Sequence, residues 1–377
     1  MIYLDYNATT PCDPRVLDAM LPYFTEKYGN AASRTHAYGW IADEGVEQAR
    51  RYIAGLLHAE PQEIVFTSGA TEGCNLALKG VFEMYAAKGN HIITCATEHR
   101  AVLDTCRRLE RKGAQVTYLG VDAGGLIDLA ALEAAIRPET ILIAVMYANN
   151  ETGVLQPVRD IGRIARQHGV LFFSDATQAA GKTAVDVQED GIDLLALSAH
   201  KFYGPKGVGA LYIRRRDPRV RLMPQIDGGG HERGYRSGTL NVPGIVGMGK
   251  AAALAAAEGV ADAERLKMLR DRLEESLVAH GAKVNGSRAM RLAHVSNLSF
   301  EGMAAERLVS GLNGALAFSV GSACTSARKE PSHVLEAMGL DEDRLKGAIR
   351  LSLGRFTTEA EAEQALNLIL DYISRKT

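Results

Sequence analysis

EIVFT at residues 63–67 runs directly into SGATE at 68–72. The first five residues read as a buried strand, and Ser68-Gly69 as a turn. From about Thr71 the apolar positions Cys74, Ala77, Leu78, Val81, Phe82 and Tyr85 recur at 3–4 spacing, the mark of one helical face. The same alternation continues outward. Strand-like runs stand at 91–96, 115–119, 141–147, 170–174, 193–198 and 208–213, with helical patterns at about 101–112, 128–136 and 157–168. Nearly continuous apolar strands separated by helices predict an α/β fold whose mostly parallel sheet is covered on both faces. The last third reads as a smaller α+β unit. A long helical region at about 244–280 carries Leu266, Leu269, Leu273 and Leu277, short strands follow at 295–300, 316–320 and 348–353, and Thr358 with Glu361 forms a capping box before the final helix. The expected division is a large domain over 15–255 and a small one made of 1–14 and 256–377.

Composition excludes several classes. The 377 residues suit two or three domains. The 43 Lys and Arg nearly balance 45 Asp and Glu, leaving a net charge of −2, which argues against a nucleic-acid binder. Five cysteines, at 12, 74, 95, 106 and 324, are odd in number and show no C-x-x-C spacing, so neither a disulfide framework nor a cysteine-rich zinc site is expected. The start lacks a basic segment followed by an apolar run, and no stretch approaches the roughly 18 apolar residues of a membrane span. The expectation is a cytoplasmic enzyme with no membrane partner.

Three constellations can carry chemistry. SGATE places a helix N-terminus after a glycine turn, an anion site suited to phosphate, although taken alone it reads better as an ordinary cap by Ser68 or Thr71. Asp175, at the end of the strand 170–174, stands where acids often face a ligand crevice; a metal ligand or a helix cap is the alternative. Lys201, in Ser198-Ala199-His200-Lys201, can form a Schiff base, or it can be a surface lysine at a strand end. Lys206 is its rival, in a turn, GPKG at 204–207, that presents it to solvent. A phosphate cup, an acid and a lysine in that order are the parts of a pyridoxal-phosphate site, in which the acid keeps the pyridine nitrogen protonated so that the ring accepts electrons.

With SGATE, TEH (97–99), NNETG (149–153), DATQ (175–178), AHK (199–201), GGGHERGYRSGT (228–239), GSACTS (321–326) and RLSLGRFTT (350–358), the chain resembles the NifS/IscS-type cysteine desulfurases over essentially its whole length. The resemblance implies the fold-type I architecture of the class V aminotransferase group, a homodimer, pyridoxal 5'-phosphate, and conversion of L-cysteine to L-alanine with the sulfur left as a protein persulfide. Residue by residue it implies Lys201 as the Schiff-base lysine and Asp175 as the pyridinium partner. Ala70, Thr71, Ser198 and His200 would hold the phosphate, with Thr239 arriving from the other subunit. His99 would stack on the ring and act in catalysis, Gln178 would contact the phenolic oxygen, and Asn150 and Arg350 would orient the substrate carboxylate. Cys324 would accept the sulfur.

The residue types agree with these roles without requiring them. Arg350 alternates with apolar Ile349 and Leu351, and a guanidinium there can grip a carboxylate or close a salt bridge. His99 could instead be structural, or could join Glu98 in a metal site, but no second histidine stands at ligand spacing. His231 takes no role. Cys324 sits among small residues, whereas Cys12, Cys74, Cys95 and Cys106 fit structural positions. No intrinsic metal is expected, although Cys324 could transiently ligate an iron–sulfur cluster with a scaffold. The implied partners are L-cysteine, an iron–sulfur scaffold or other sulfur acceptors. The chain ends soon after 358–375, which implies a shorter scaffold-binding tail than IscS-type members carry. The alternatives are a selenocysteine lyase or other class V enzyme, for which GSACTS is unneeded, and a catalytically silent scaffold, for which Lys201 and Cys324 are unneeded.

Overall fold

The computed structural model describes residues 1–320 and 331–375. Its strands are β1 (Ile2–Tyr3), β2 (Ile64–Thr67), β3 (His91–Cys95), β4 (Gln115–Leu119), β5 (Thr140–Ala144), β6 (Leu171–Asp175), β7 (Leu194–Ser198), β8 (Gly209–Ile213), β9 (Ala282–Val284), β10 (Val295–Phe300), β11 (Leu316–Ala317), β12 (Ser319–Val320) and β13 (Ala348–Ser352). Seven of them form one sheet in the order β2-β8-β7-β6-β5-β3-β4. The five strands from β7 to β4 are parallel. β8 runs antiparallel to both β7 and β2. Its reversal follows from the short connection 199–208, which has no room for the crossover helix that a parallel neighbour needs.

The period of two is visible in the packing. Phe172 joins the core on one face of the sheet and Phe173 the core on the other, and Phe66 and Val65 divide in the same way. β2, β3, β5, β6, β7 and β8 are buried throughout, as their unbroken apolar runs require. β4, at the edge, exposes Gln115 and Tyr118.

A second sheet, β12-β13-β10-β9, is antiparallel and packs on a third core that includes Leu273, Leu298 and Ile369. The helix Val242–Ala279 serves both regions. Ile245, Met248 and Ala252 lie in a core of the large sheet, whereas Leu266, Leu269, Leu273 and Leu277 lie in that of the small one. The chain therefore passes residue 255 inside a continuous helix. This helix is also long and apolar enough over 18 residues to cross a membrane, yet half of that window is buried within the protein. The expected single strand at 316–320 is two short strands, β11 and β12, and β11 pairs with the N-terminal β1. That pairing draws the first residues toward the second sheet, and residues 5–10 then run beside the large one. Thr10 N donates to His200 O at 2.9 Å, and Asn7 N to Ser352 Oγ at 2.9 Å.

Candidate active site

A cavity of about 460 Å³ opens at the carboxyl ends of the parallel strands, where an open α/β sheet binds its ligands. Ala70, Thr71, His99, Asn150, Asp175, Gln178, Ser198, His200, Lys201 and Arg350 all line it. Ten of the twelve residues expected from sequence are thus brought together. Thr239 is exposed and does not line the cavity of its own chain. Cys324 lies outside the described residues.

The cup forms because β2 ends in a turn that presses on β8. A Cβ on Gly209 would lie 2.6 Å from Gly69 Cα and 2.6 Å from Leu197 O, so only glycine lets the strand and the turn approach this closely. The helix Ala70–Met84 starts there, and its first-turn N–H groups have no carbonyl partners within the helix. Glu72 braces the turn: its carboxylate accepts from Ser68 N at 2.8 Å and pairs with Arg236 at 2.9 Å. Burial pushes the Glu72 carboxyl upward, but the Arg236 and Ser68 hydrogen bonds outweigh it and hold the group below its usual range. The glycine-rich segment beyond β8 also has a structural part. Glu232, buried, pairs with Arg50 at 2.8 Å and accepts from Phe66 N at 2.7 Å, which ties that segment to the edge strand β2.

Asp175 closes β6. Its Oδ1 accepts from the backbone N–H of Thr177 at 2.9 Å and from the Thr177 hydroxyl, and its Oδ2 accepts from the Cys74 thiol at 3.7 Å. Glu98 lies in the same buried region. Burial, then the charge of Asp175, drives its carboxyl well above the usual range; Oε1 accepts from Met146 N, and Oε2 has no partner among the described residues. Sequence reading gave Cys74 and Glu98 no place beside this acid.

Lys201 ends the short turn after β7. Its amine donates to Asn7 O at 2.6 Å and to Ala8 O at 2.8 Å. Lys206 is exposed at the rim of the cavity. His200 meets the Thr9 hydroxyl through Nδ1 at 3.1 Å, and burial followed by the Lys201, Lys206 and Lys182 charges pushes it down to about 4, so it is a neutral ring at neutral pH. His99 caps the helix Arg100–Glu110: Nδ1 accepts from Ala101 N at 3.1 Å, which puts the ring proton on Nε2.

Arg350 is 1% exposed. Nη2 pairs with Asp5 at 2.6 Å, Nη1 donates to Asn150 O at 2.9 Å, and Nε has no partner among the described residues. The salt bridge left open at the sequence level thus exists, and the cavity-lining guanidinium also keeps a buried donor to spare. Asn7 is the residue that sequence reading missed. Its carbonyl accepts from Lys201 and from Gln178 Nε2 (3.0 Å), its Nδ2 donates to Asn150 O (3.1 Å), and its Oδ1 faces His294 Nε2 (2.8 Å). The Asp5-Tyr6-Asn7-Ala8-Thr9-Thr10 run gave no signal of this, since polar residues are ordinary near a chain terminus.

A helix N-terminus and hydroxyl for a phosphate, an acid for a ring nitrogen and a lysine for an aldehyde, around a cavity of cofactor size, fit pyridoxal phosphate. The fold and this donor set define a fold-type I architecture. Residues 2–365 match the family Aminotransferase class-V, and the chain belongs to that family. It is 56% identical to a cysteine desulfurase IscS of Anaeromyxobacter sp. (strain Fw109-5), covering 99% of this chain and 93% of that one. It is 52% identical to the cysteine desulfurase IscS of Methylococcus capsulatus, with 99% and 93% covered. Among solved structures, a NifS-like protein aligns with a TM-score of 0.93 at 40% identity, covering 99% of both chains. SspA in complex with cysteine aligns at 0.83 and 38%, covering 95% of this chain and 100% of that one.

Proposed function

We infer that this protein is a pyridoxal-phosphate-dependent cysteine desulfurase, which converts L-cysteine to L-alanine and takes the sulfur onto Cys324. The observation that supports it most is the convergence on one cavity of Lys201, Asp175, the Ala70–Thr71 helix start and a buried Arg350 whose Nε is unused, in a chain more than half identical to cysteine desulfurases. Ala70, Thr71, Ser198 and His200 hold the phosphate, together with Thr239 of the second subunit of a homodimer. Asp175 meets the ring nitrogen, Gln178 the phenolic oxygen, and His99 the ring face. Bound there, the cofactor supplies an aldehyde for amines and a sink for the charge that develops at the substrate α-carbon.

Asn150 and Arg350 fix the substrate carboxylate, the latter through its unpartnered Nε. The Lys201 amine takes the proton from the substrate α-carbon. The Nε2 proton of His99 serves the substrate sulfur. The Cys324 thiolate attacks that sulfur; an S–S bond forms as the Cβ–S bond breaks, and alanine departs after Cβ gains a proton. The persulfide then passes to an iron–sulfur scaffold or another acceptor, in the cytoplasm. The segments 15–255 and 1–14 with 256–377 act as two domains, joined within the helix Val242–Ala279. The test is incubation of the yellow, dimer-sized protein with L-cysteine and a thiol reductant. Alanine and sulfide are expected in equal amounts, whereas alanine without sulfide, or pyruvate in its place, would overturn the reading.

A further inference from the structure

Behind the cavity wall lies a lysine that the reaction does not use. The stem of Lys182 runs along a narrow crevice with Gly181, Gly259 and His294, and its amine reaches inward to Gln178 Oε1 at 3.0 Å and Asn7 Oδ1 at 3.4 Å. Among the described residues, no carboxylate lies within ion-pair distance of it. Burial, then the Lys201 and Arg350 charges, pushes this amine well below the ordinary lysine range, and its N–H groups point to these two oxygens. Burial, then the Lys182, Arg270 and Arg350 charges, holds His294, the other group on Asn7 Oδ1, well below the ordinary histidine range.

Gln178 could turn either edge of its carboxamide toward the ligand. Two neighbours decide between them. Asn7 O only accepts, so the Gln178 end beside it must be the nitrogen, and the other end, which meets the N–H groups of Lys182, is the oxygen. Asn7 O is also the acceptor of Lys201, so the amide nitrogen lies on the Lys201 side, with one N–H on Asn7 O and the second left for an acceptor in the cavity. Asn7 is oriented by the same logic, its Nδ2 on Asn150 O and its Oδ1 on Lys182 and His294.

We propose that Lys182 is a positioning residue, which locks Gln178 with its N–H edge toward the phenolic oxygen of the bound cofactor. The proposal rests on the reading of Gln178 as a cofactor contact. Without Lys182 the carboxamide oxygen loses its donor, and Asn7 O alone is left to hold the N–H edge toward the cavity.

Lys182→Met, Gln178→Ala and the double variant, each as the cofactor-loaded protein without substrate, separate the two ideas. Lys182→Ala, which leaves room for water in the crevice, is a second truncation should the methionine variant not fold. The readouts are the cofactor dissociation constant and the pH titration of its visible absorbance. Gln178→Ala is expected to weaken cofactor binding by about threefold to tenfold, the worth of one hydrogen bond, and to move the titration midpoint. The Lys182 variants are expected to move both in the same direction, and the double variant to match Gln178→Ala alone. A wild-type titration in the Lys182 variants beside a shifted Gln178→Ala, or shifts that add in the double variant, would overturn the positioning role. An unmoved titration in Gln178→Ala would instead overturn the Gln178 contact itself.

Discussion

On the sheet side of the cavity, Asp175, Ser198 and Lys201 come from the carboxyl ends of β6 and β7, which are hydrogen-bonded neighbours. On the opposite side, Arg350 and Asp5 meet across 345 residues of chain, and the Asn7 side chain joins Asn150 and His294 from two further segments. The first wall is a property of a parallel sheet, since any polar residue that ends one of its strands faces the crevice. The second is assembled by tertiary contacts alone. The sheet wall accordingly contributes an acid, a hydroxyl and a lysine, and the assembled wall a guanidinium whose Nε has no partner among the described residues.

Lys201→Ala should have the largest effect if the sheet wall carries the cofactor chemistry. Turnover should disappear, and borohydride reduction of the wild type followed by peptide mapping should find the reduced cofactor on Lys201. Its appearance on Lys206 would break the assignment. Arg350→Lys sharpens the contrast from the other wall. It keeps the charge but loses the fork, so KM for cysteine should rise by about tenfold or more while cofactor absorbance stays as in the wild type. A loss of cofactor would mean that the two walls do not divide the work.

A smaller effect is expected at Glu151. Burial raises its carboxyl to about 7, against hydrogen bonding from the Ser332 hydroxyl and the Arg350 charge. A folded-state value above the unfolded one means that the stabilising contribution is full below about pH 4.5 and is lost as pH rises through about 7. Glu151→Gln cannot ionise. Relative to wild type it should therefore gain stability between pH 5 and pH 8, by at most about 3 kcal/mol. Denaturant unfolding at the two pH values measures this, and an equal difference at both would show that Glu151 does not titrate in that range.

The same contrast explains what could be read from the sequence. Strand ends, the glycine turn and the Thr358–Glu361 capping box depend on neighbours along the chain, and these features appear close to where periodicity puts them. The reversed β8 was hidden because its apolar run, GALYI, looks the same in either direction. Asn7, Lys182 and Glu98 were hidden for another reason. Each owes its place to partners far away in sequence, and a partly buried lysine or a buried glutamate has no local pattern to separate it from a surface one. Cys74 was legible as a buried helical residue, but its 3.7 Å approach to Asp175 Oδ2 was not.

The central claim is that the sulfur leaves the cavity on Cys324. The most direct test is to give L-cysteine to Cys324→Ala and measure alanine alongside the visible absorbance of the cofactor, with mass spectrometry of wild-type peptides after brief exposure to cysteine. The account predicts a variant that stays yellow, changes its spectrum when cysteine is added and makes no alanine, and a wild type whose added sulfur is found on the peptide containing Cys324. Alanine produced by Cys324→Ala at the wild-type rate would contradict it and would point to direct release of sulfur.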